Sequence, residues 1–205
     1  MNANQFLKAV EQLQGWRQTA FLLALAERAF PNYALFSEAI GSMAGGKMRQ
    51  LLDAGWDLFD NKAAENQIPQ LLARLESLSP DVDAYDAYGV YPAHDFCLLL
   101  EEALLSRLNP SKHRATESSG IATGTVMNFI TFSEGEGLDE SEQVRLLDSH
   151  PLMKEDKLFQ RDLILSLKRQ RVPKERYILE LKSLAANDGV SNLGITLSDD
   201  DSDTE

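Results

Sequence analysis

One cysteine, Cys97, is too few for an internal disulfide, so nothing in this chain depends on an oxidising compartment. Long apolar runs are missing as well. The longest, Ala20 to Ala26, falls far short of the roughly 20 residues that a membrane-spanning helix needs. Met1 to Gln14 has neither a positively charged start nor a continuous apolar stretch, so no secretory signal is expected and the chain reads as cytoplasmic. Basic charge is scarce too: 20 Lys and Arg stand against 32 Asp and Glu, a formal net charge of −12 at pH 7. That surface repels phosphate backbones and anionic lipid, which excludes nucleic acid and membrane as expected partners.

The motifs of several common chemistries are also lacking. No Gly-x-Ser-x-Gly elbow occurs. Ser42 to Lys47 has two glycines and a lysine but lacks the first glycine of a P-loop and the hydroxyl residue after Lys47. Neither His-Glu-x-x-His nor the paired Glu-x-x-His of di-iron bundles is present. Asp81, Asp83 and Asp86 suggest a calcium loop, but Asp86 stands where the glycine belongs and Pro92 where the bidentate glutamate belongs. His113 and Glu117 are spaced to share a helix face, yet two ligands alone make no metal site. No metal and no cofactor is expected.

What is present is ordinary globular material. Hydrophobic residues at 43% and charged residues at 25% allow a real core without covalent staples, and 205 residues suit one domain. The dominant period is helical, which predicts an all-α, compact single-domain bundle of about eight helices of ordinary length. Phe6, Val10 and Leu13 mark an opening helix that Gly15 ends. Trp16 to Phe30 is apolar nearly all round, so it belongs at the centre. Pro31 is expected to stop it, with Asn32 capping a short helix through Ile40. Gly41, Gly45 and Gly46 read as a loop, followed by helices over Met48–Phe59 and Ile68–Leu78. Pro92 opens a long helix to about Leu108, and Asn109-Pro110 reads as the start of the next. The small and β-branched residues of 112–132 are read as helix. Three further helices follow: Leu138 to Asp148, Pro151 to Arg171 with Leu158, Phe159, Leu163, Leu165 and Leu167 inward, and one from Pro173 that Asn187-Asp188-Gly189 ends, with Tyr177, Ile178, Leu181 and Leu184 on one side. The domain is placed at 1–197. The segment 198–205, with Asp199, Asp200, Asp201, Asp203 and Glu205, is too acidic to fold and reads as a disordered tail.

Several strings together resemble one family. They are Trp16 with Phe21, Glu27-Arg28, Pro31-Asn32-Tyr33-Ala34-Leu35-Phe36, Tyr88-Gly89-Val90-Tyr91-Pro92-Ala93, and Ser191-Asn192-Leu193-Gly194-Ile195. In this order they are similar to the YjaG-like bacterial proteins, a domain of unknown function. The resemblance covers nearly the whole chain except the acidic tail. It implies an all-helical domain in the bacterial cytoplasm and supplies no reaction, cofactor or catalytic residue.

Candidate site residues gather in 85–101. Tyr85, Tyr88 and Tyr91 recur every three residues, each with an apolar ring and a polar tip, and Gly89 permits an unusual turn among them. On the helix that follows, His94 and Glu101 lie two turns apart, between an apolar stripe (Ala93, Cys97, Leu100, Leu104, Leu108) and Leu98 with Leu105. Partial burial there would shift a pKa and equip the pair for acid–base work, or for fixing helix packing. Glu27 and Arg28, ending the most apolar helix, read as packing specifiers. Cys97, in mid-stripe, reads as inert.

The leading expectation is a non-catalytic protein-interaction or regulatory module that binds a protein, or a second copy of itself, through one helical face. The alternative is a small-molecule binder or enzyme using Tyr88, Tyr91, His94 and Glu101. An acidic body that mimics nucleic acid toward a basic protein is a third reading, resting on charge alone.

Overall fold

A computed structural model describes residues 1–59 and 62–196 of the chain. The expected acidic tail, 198–205, lies outside the described residues. Nine α-helices lie within them: α1 (Ala3–Glu11), α2 (Trp16–Ala39), α3 (Ala44–Asp57), α4 (Ile68–Leu78), α5 (Val90–Leu108), α6 (Arg114–Glu134), α7 (Glu140–Ser149), α8 (Pro151–Arg169) and α9 (Glu175–Ala186). Segment 112–132 is helical as read, and the only pairing of strand type among the described residues is one antiparallel bridge, Val190 to Thr196.

Helix α2 is the axis. Its residues from Gln18 to Ala26 are all buried, because its apolar side chains leave no polar face to turn toward water. Helices α3, α5, α6, α8 and α9 pack around it, α5 most extensively, through Phe96, Leu99, Leu100 and Leu104. Gly55 lets α3 come close: a Cβ there would lie 2.9 Å from Leu23 Cδ2. A smaller cluster of Val126, Ile130, Met153 and Leu193 closes the far end between α6, α8 and the final turn. The chain forms one compact all-α domain.

The structure corrects three of the expected boundaries and two of the expected faces. Pro31 does not end a helix; α2 runs through it to Ala39. Proline removes one rung of the ladder and costs about 3 kcal/mol inside a helix. Two things offset this. Burial of Tyr33 and Phe36 rewards continuation, and the loosened backbone gains a tertiary clamp. Asn192 N–H donates to the Arg28 carbonyl at 3.2 Å, while Asn32 Nδ2 donates to Asn192 Oδ1 at 2.8 Å. Gly45 and Gly46 lie in the first turn of α3, not in a loop, and the Gly45 amide donates to Ser37 Oγ. Asn109 is the C-cap of α5, and α6 begins only at Arg114. On α8, Leu158 and Leu165 face solvent, as Leu184 does on α9. The buried face of α8 is Met153, Asp156, Gln160, Leu163, Ile164 and Leu167.

Glu27 anchors the α2–α3 contact. It is 4% exposed and accepts from Arg49 Nη1 and Nη2 at 2.6 and 2.9 Å and from Trp56 Nε1 at 2.8 Å. Arg49 also reaches Asp53, whose carboxylate takes Lys182 of α9. Removing one partner of such a pair leaves the others desolvated and unpaired. Glu27→Ala therefore lowers the unfolding free energy by about 3–5 kcal/mol in urea titrations, and Glu27→Gln, which keeps an acceptor for Trp56, by less. A Glu27→Ala loss no larger than that of an exposed ion pair, under about 1 kcal/mol, would show that the pairing does not carry the contact.

Candidate functional site

The segment after α4 turns back with a short 3₁₀ turn, Val82–Ala84, started by Asp81, whose side chain accepts from the Asp83 amide. Tyr85 then points inward, edge-on to Phe36 at 5.1 Å between ring centroids. Gly89, the N-cap of α5, has an ordinary helical φ of −56°, so the unusual turn expected there is not made. Tyr88 and Tyr91 are brought together at 5.9 Å. His94 is half-buried on α5, whereas Glu101, two turns on, is exposed, contrary to the expected partial burial. Leu108, placed in the apolar stripe, is exposed too. Residues seven apart on a helix are separated by about 10 Å along its axis, so His94 and Glu101 make no direct contact through the backbone spacing alone.

What Tyr88 does meet is α6. Phe132 stacks on it at 4.0 Å with 14° between the planes, and Phe129 lies at 6.2 Å. Phe129 and Phe132 are three apart, one face of a helix. Together with Tyr91 they make an aromatic ledge whose outer members are open to water, Tyr91 at 53% and Phe132 at 63% exposure. Asp86 precedes the ledge, and Glu134 and Glu136 follow it, all exposed.

Beneath the ledge, Asp95 links α5 to α6. Thr125 Oγ1 lies within donating distance of two acceptors, Asp95 Oδ2 at 2.7 Å and the Ile121 carbonyl at 2.9 Å. Burial pushes the Asp95 carboxyl up, against the Thr125 hydrogen bond and the nearby His94, which pull it down. Burial, with the neighbouring Asp95 charge, pushes the Tyr88 hydroxyl up to about 12, so the ring presents a neutral phenol at physiological pH.

Two further polar side chains, His150 and Arg28, are structural in placement. His150 caps α8, accepting from the Leu152 amide through Nδ1 and facing Glu134 through Nε2 at 3.1 Å. Arg28 caps α9, donating to the Ala185 and Leu184 carbonyls and lying over the Phe159 ring. Among the described residues no three His, Cys, Asp or Glu side chains converge to hold a metal ion. Sequence reasoning missed Asp95, Phe129 and Phe132. The aromatic pair carries a faint signal in its spacing of three, but only the fold sets it against Tyr88.

A family model described as a protein of unknown function, DUF416, matches residues 5–196. The chain belongs to the DUF416 family. It is 32% identical over 190 residues to the uncharacterized protein YjaG of Escherichia coli K12, covering 91% of this chain and 93% of that one. It is 31% identical over 200 residues to an uncharacterized protein of Haemophilus influenzae, covering 94% and 97%. A crystal structure of a DUF416 family protein from Shewanella baltica superposes with a TM-score of 0.82 at 27% identity, over 94% of this chain and 98% of that chain. No activity comes with the DUF416 description. Three of the strings that carry the family resemblance meet in space, since Asn192 clamps α2 at Arg28 and Asn32.

The raised Asp95 predicts a sign. A carboxyl that holds its proton more tightly folded than unfolded favours the folded state at low pH. That contribution falls away as pH rises above the ordinary value of 3.8 and through the raised folded value. Asp95→Asn removes the titration, so its stability relative to the parent rises with pH across that window. A constant difference between the two melting curves at every pH would refute the burial of this carboxyl.

Proposed function

We propose that this DUF416 protein is a non-catalytic interaction module of the bacterial cytoplasm that docks a basic segment of another protein on the Tyr88–Tyr91–Phe129–Phe132 ledge. One observation carries the reading: a phenylalanine 63% exposed and stacked on a tyrosine, where water gains nothing from either ring. Exposed aromatic patches rimmed by charge mark docking surfaces, and aromatic rings are the commonest anchors of interfaces. Charge selects the occupant. Asp95 acts on the Tyr88 hydroxyl from beneath, and a chain of net charge −12 attracts lysine and arginine, whose cations also sit well over ring faces. The same net charge opposes a second copy of this chain, because two acidic bodies repel.

The cytoplasmic assignment is consistent with Cys97, a lone thiol buried on α5 and pushed up to about 12 by that burial, which leaves it unreactive. Neither the docking nor the compartment requires chemistry at His94 or Glu101.

A photoreactive benzoylphenylalanine at position 132 of the full chain, in the cells that make it, tests the reading. The expected result is one discrete heavier adduct whose added chain is basic. The same probe at Leu179, 59% exposed on α9, gives none. An adduct of twice the chain's own mass would replace the basic segment with a second copy. No adduct above the Leu179 control would overturn the ledge as a docking face.

A further inference from the structure

A second feature lies away from the ledge. Helices α1, α6 and α8 enclose a cleft of about 630 Å³, the size range of small-molecule sites, and none of Tyr88, Tyr91, His94 and Glu101 lines it. One side is apolar, built by Phe6 of α1 and Leu158 of α8, one of the two α8 leucines that the core leaves outside. The rim is cationic. Lys154, Lys157 and Arg161 are spaced three and four apart, which places all three on one face of α8, toward the cleft.

Three like charges on one helix face repel each other, and in this chain they stand against a large acidic excess. Yet among the described residues neither Lys154 nor Lys157 takes part in a salt bridge. Arg161 pairs only with its exposed neighbour Asp162, a contact of little strength. Asp156, within Coulombic reach of Lys157, is buried rather than set on the rim.

The floor is polar and held rigidly. Gln160 is 1% exposed and lines the cleft beside Thr123. Ser119 Oγ donates to Gln160 Oε1 at 2.6 Å, and Gln160 Nε2 donates to Thr123 Oγ1 at 3.0 Å and to Asp156 Oδ2 at 2.9 Å. Thr123 Oγ1 donates in turn to Asp156 at 2.7 Å. Asp156 does not itself line the cleft; it lies behind the floor, its oxygens taken by Thr123 and Gln160. A fixed polar floor, an apolar wall and a cationic rim form a preorganised site.

We infer that this cleft binds an amphipathic organic anion, with its apolar or aromatic body against Phe6 and Leu158 and its carboxylate or sulfonate at Lys157 and Arg161. The site is independent of the ledge, so either proposal stands without the other.

The test is a fluorescence titration of the full chain at low salt with 8-anilinonaphthalene-1-sulfonate, an aromatic sulfonate. Saturable enhancement with one site per chain is expected. Affinity should drop at least ~tenfold in the double variant Lys157→Gln/Arg161→Gln, since two charge-assisted contacts are lost. Both residues are on the surface, and a circular dichroism spectrum unchanged from the parent shows that the variant folds. Decanoate should displace the dye and inorganic phosphate should not. Phe132→Ala should bind the dye as the parent does. Absent saturation, affinity unchanged in the double variant, displacement by phosphate alone, or loss of binding in Phe132→Ala would each overturn the assignment.

Discussion

A helix with no face for water has to be covered on every side, and α2 is such a helix. Its apolar surroundings fix the rest of the architecture, but hydrophobic burial is non-directional and does not decide which neighbour sits where. The few polar groups of α2 do that. Gln18 donates to the Ser111 carbonyl, and Thr19 bonds Ser106 of α5. Glu27 takes Arg49 and Trp56 of α3, and Arg28 caps the last turn of α9. Asn32 holds the final turn through Asn192, and Ser37 ties down the start of α3. A polar group desolvated by burial recovers that cost only with a partner, so these groups specify which neighbour sits where.

Much of this was legible in the sequence, and the exceptions have physical causes. The all-round apolar run from Phe21 to Leu25 places α2 at the centre without any other information. Pro31 misleads because its local cost is outweighed by tertiary terms, namely the burial of Tyr33 and the Asn192 clamp 160 residues away in sequence. The phase of α8 misleads for a related reason. Asp156 and Gln160 occupy its buried face as members of a polar network, so a search for leucines settles on Leu158 and Leu165 instead.

The candidate region was half legible. The recurrence of tyrosines at 85–91 points to the right corner of the molecule, but one of them, Tyr85, turns into the core against Phe36. Tyr88 becomes part of a surface only because the α5–α6 packing, tied by Asp95 and Thr125, carries Phe132 onto it. No local pattern encodes that meeting. The cationic cleft was invisible for the same reason: its three charges read as an ordinary solvated face until α1 is folded over them.

The protein thus presents an exposed aromatic ledge on an acidic helical body, and the central claim is that this ledge recognises positive charge. The most direct measurement is a nuclear magnetic resonance titration of the full chain with a short peptide rich in arginine and lysine. Ring and amide resonances of Tyr88, Tyr91, Phe129 and Phe132 should move first and saturate together. Shifts spread evenly over the acidic surface, with those four unmoved, would contradict the account.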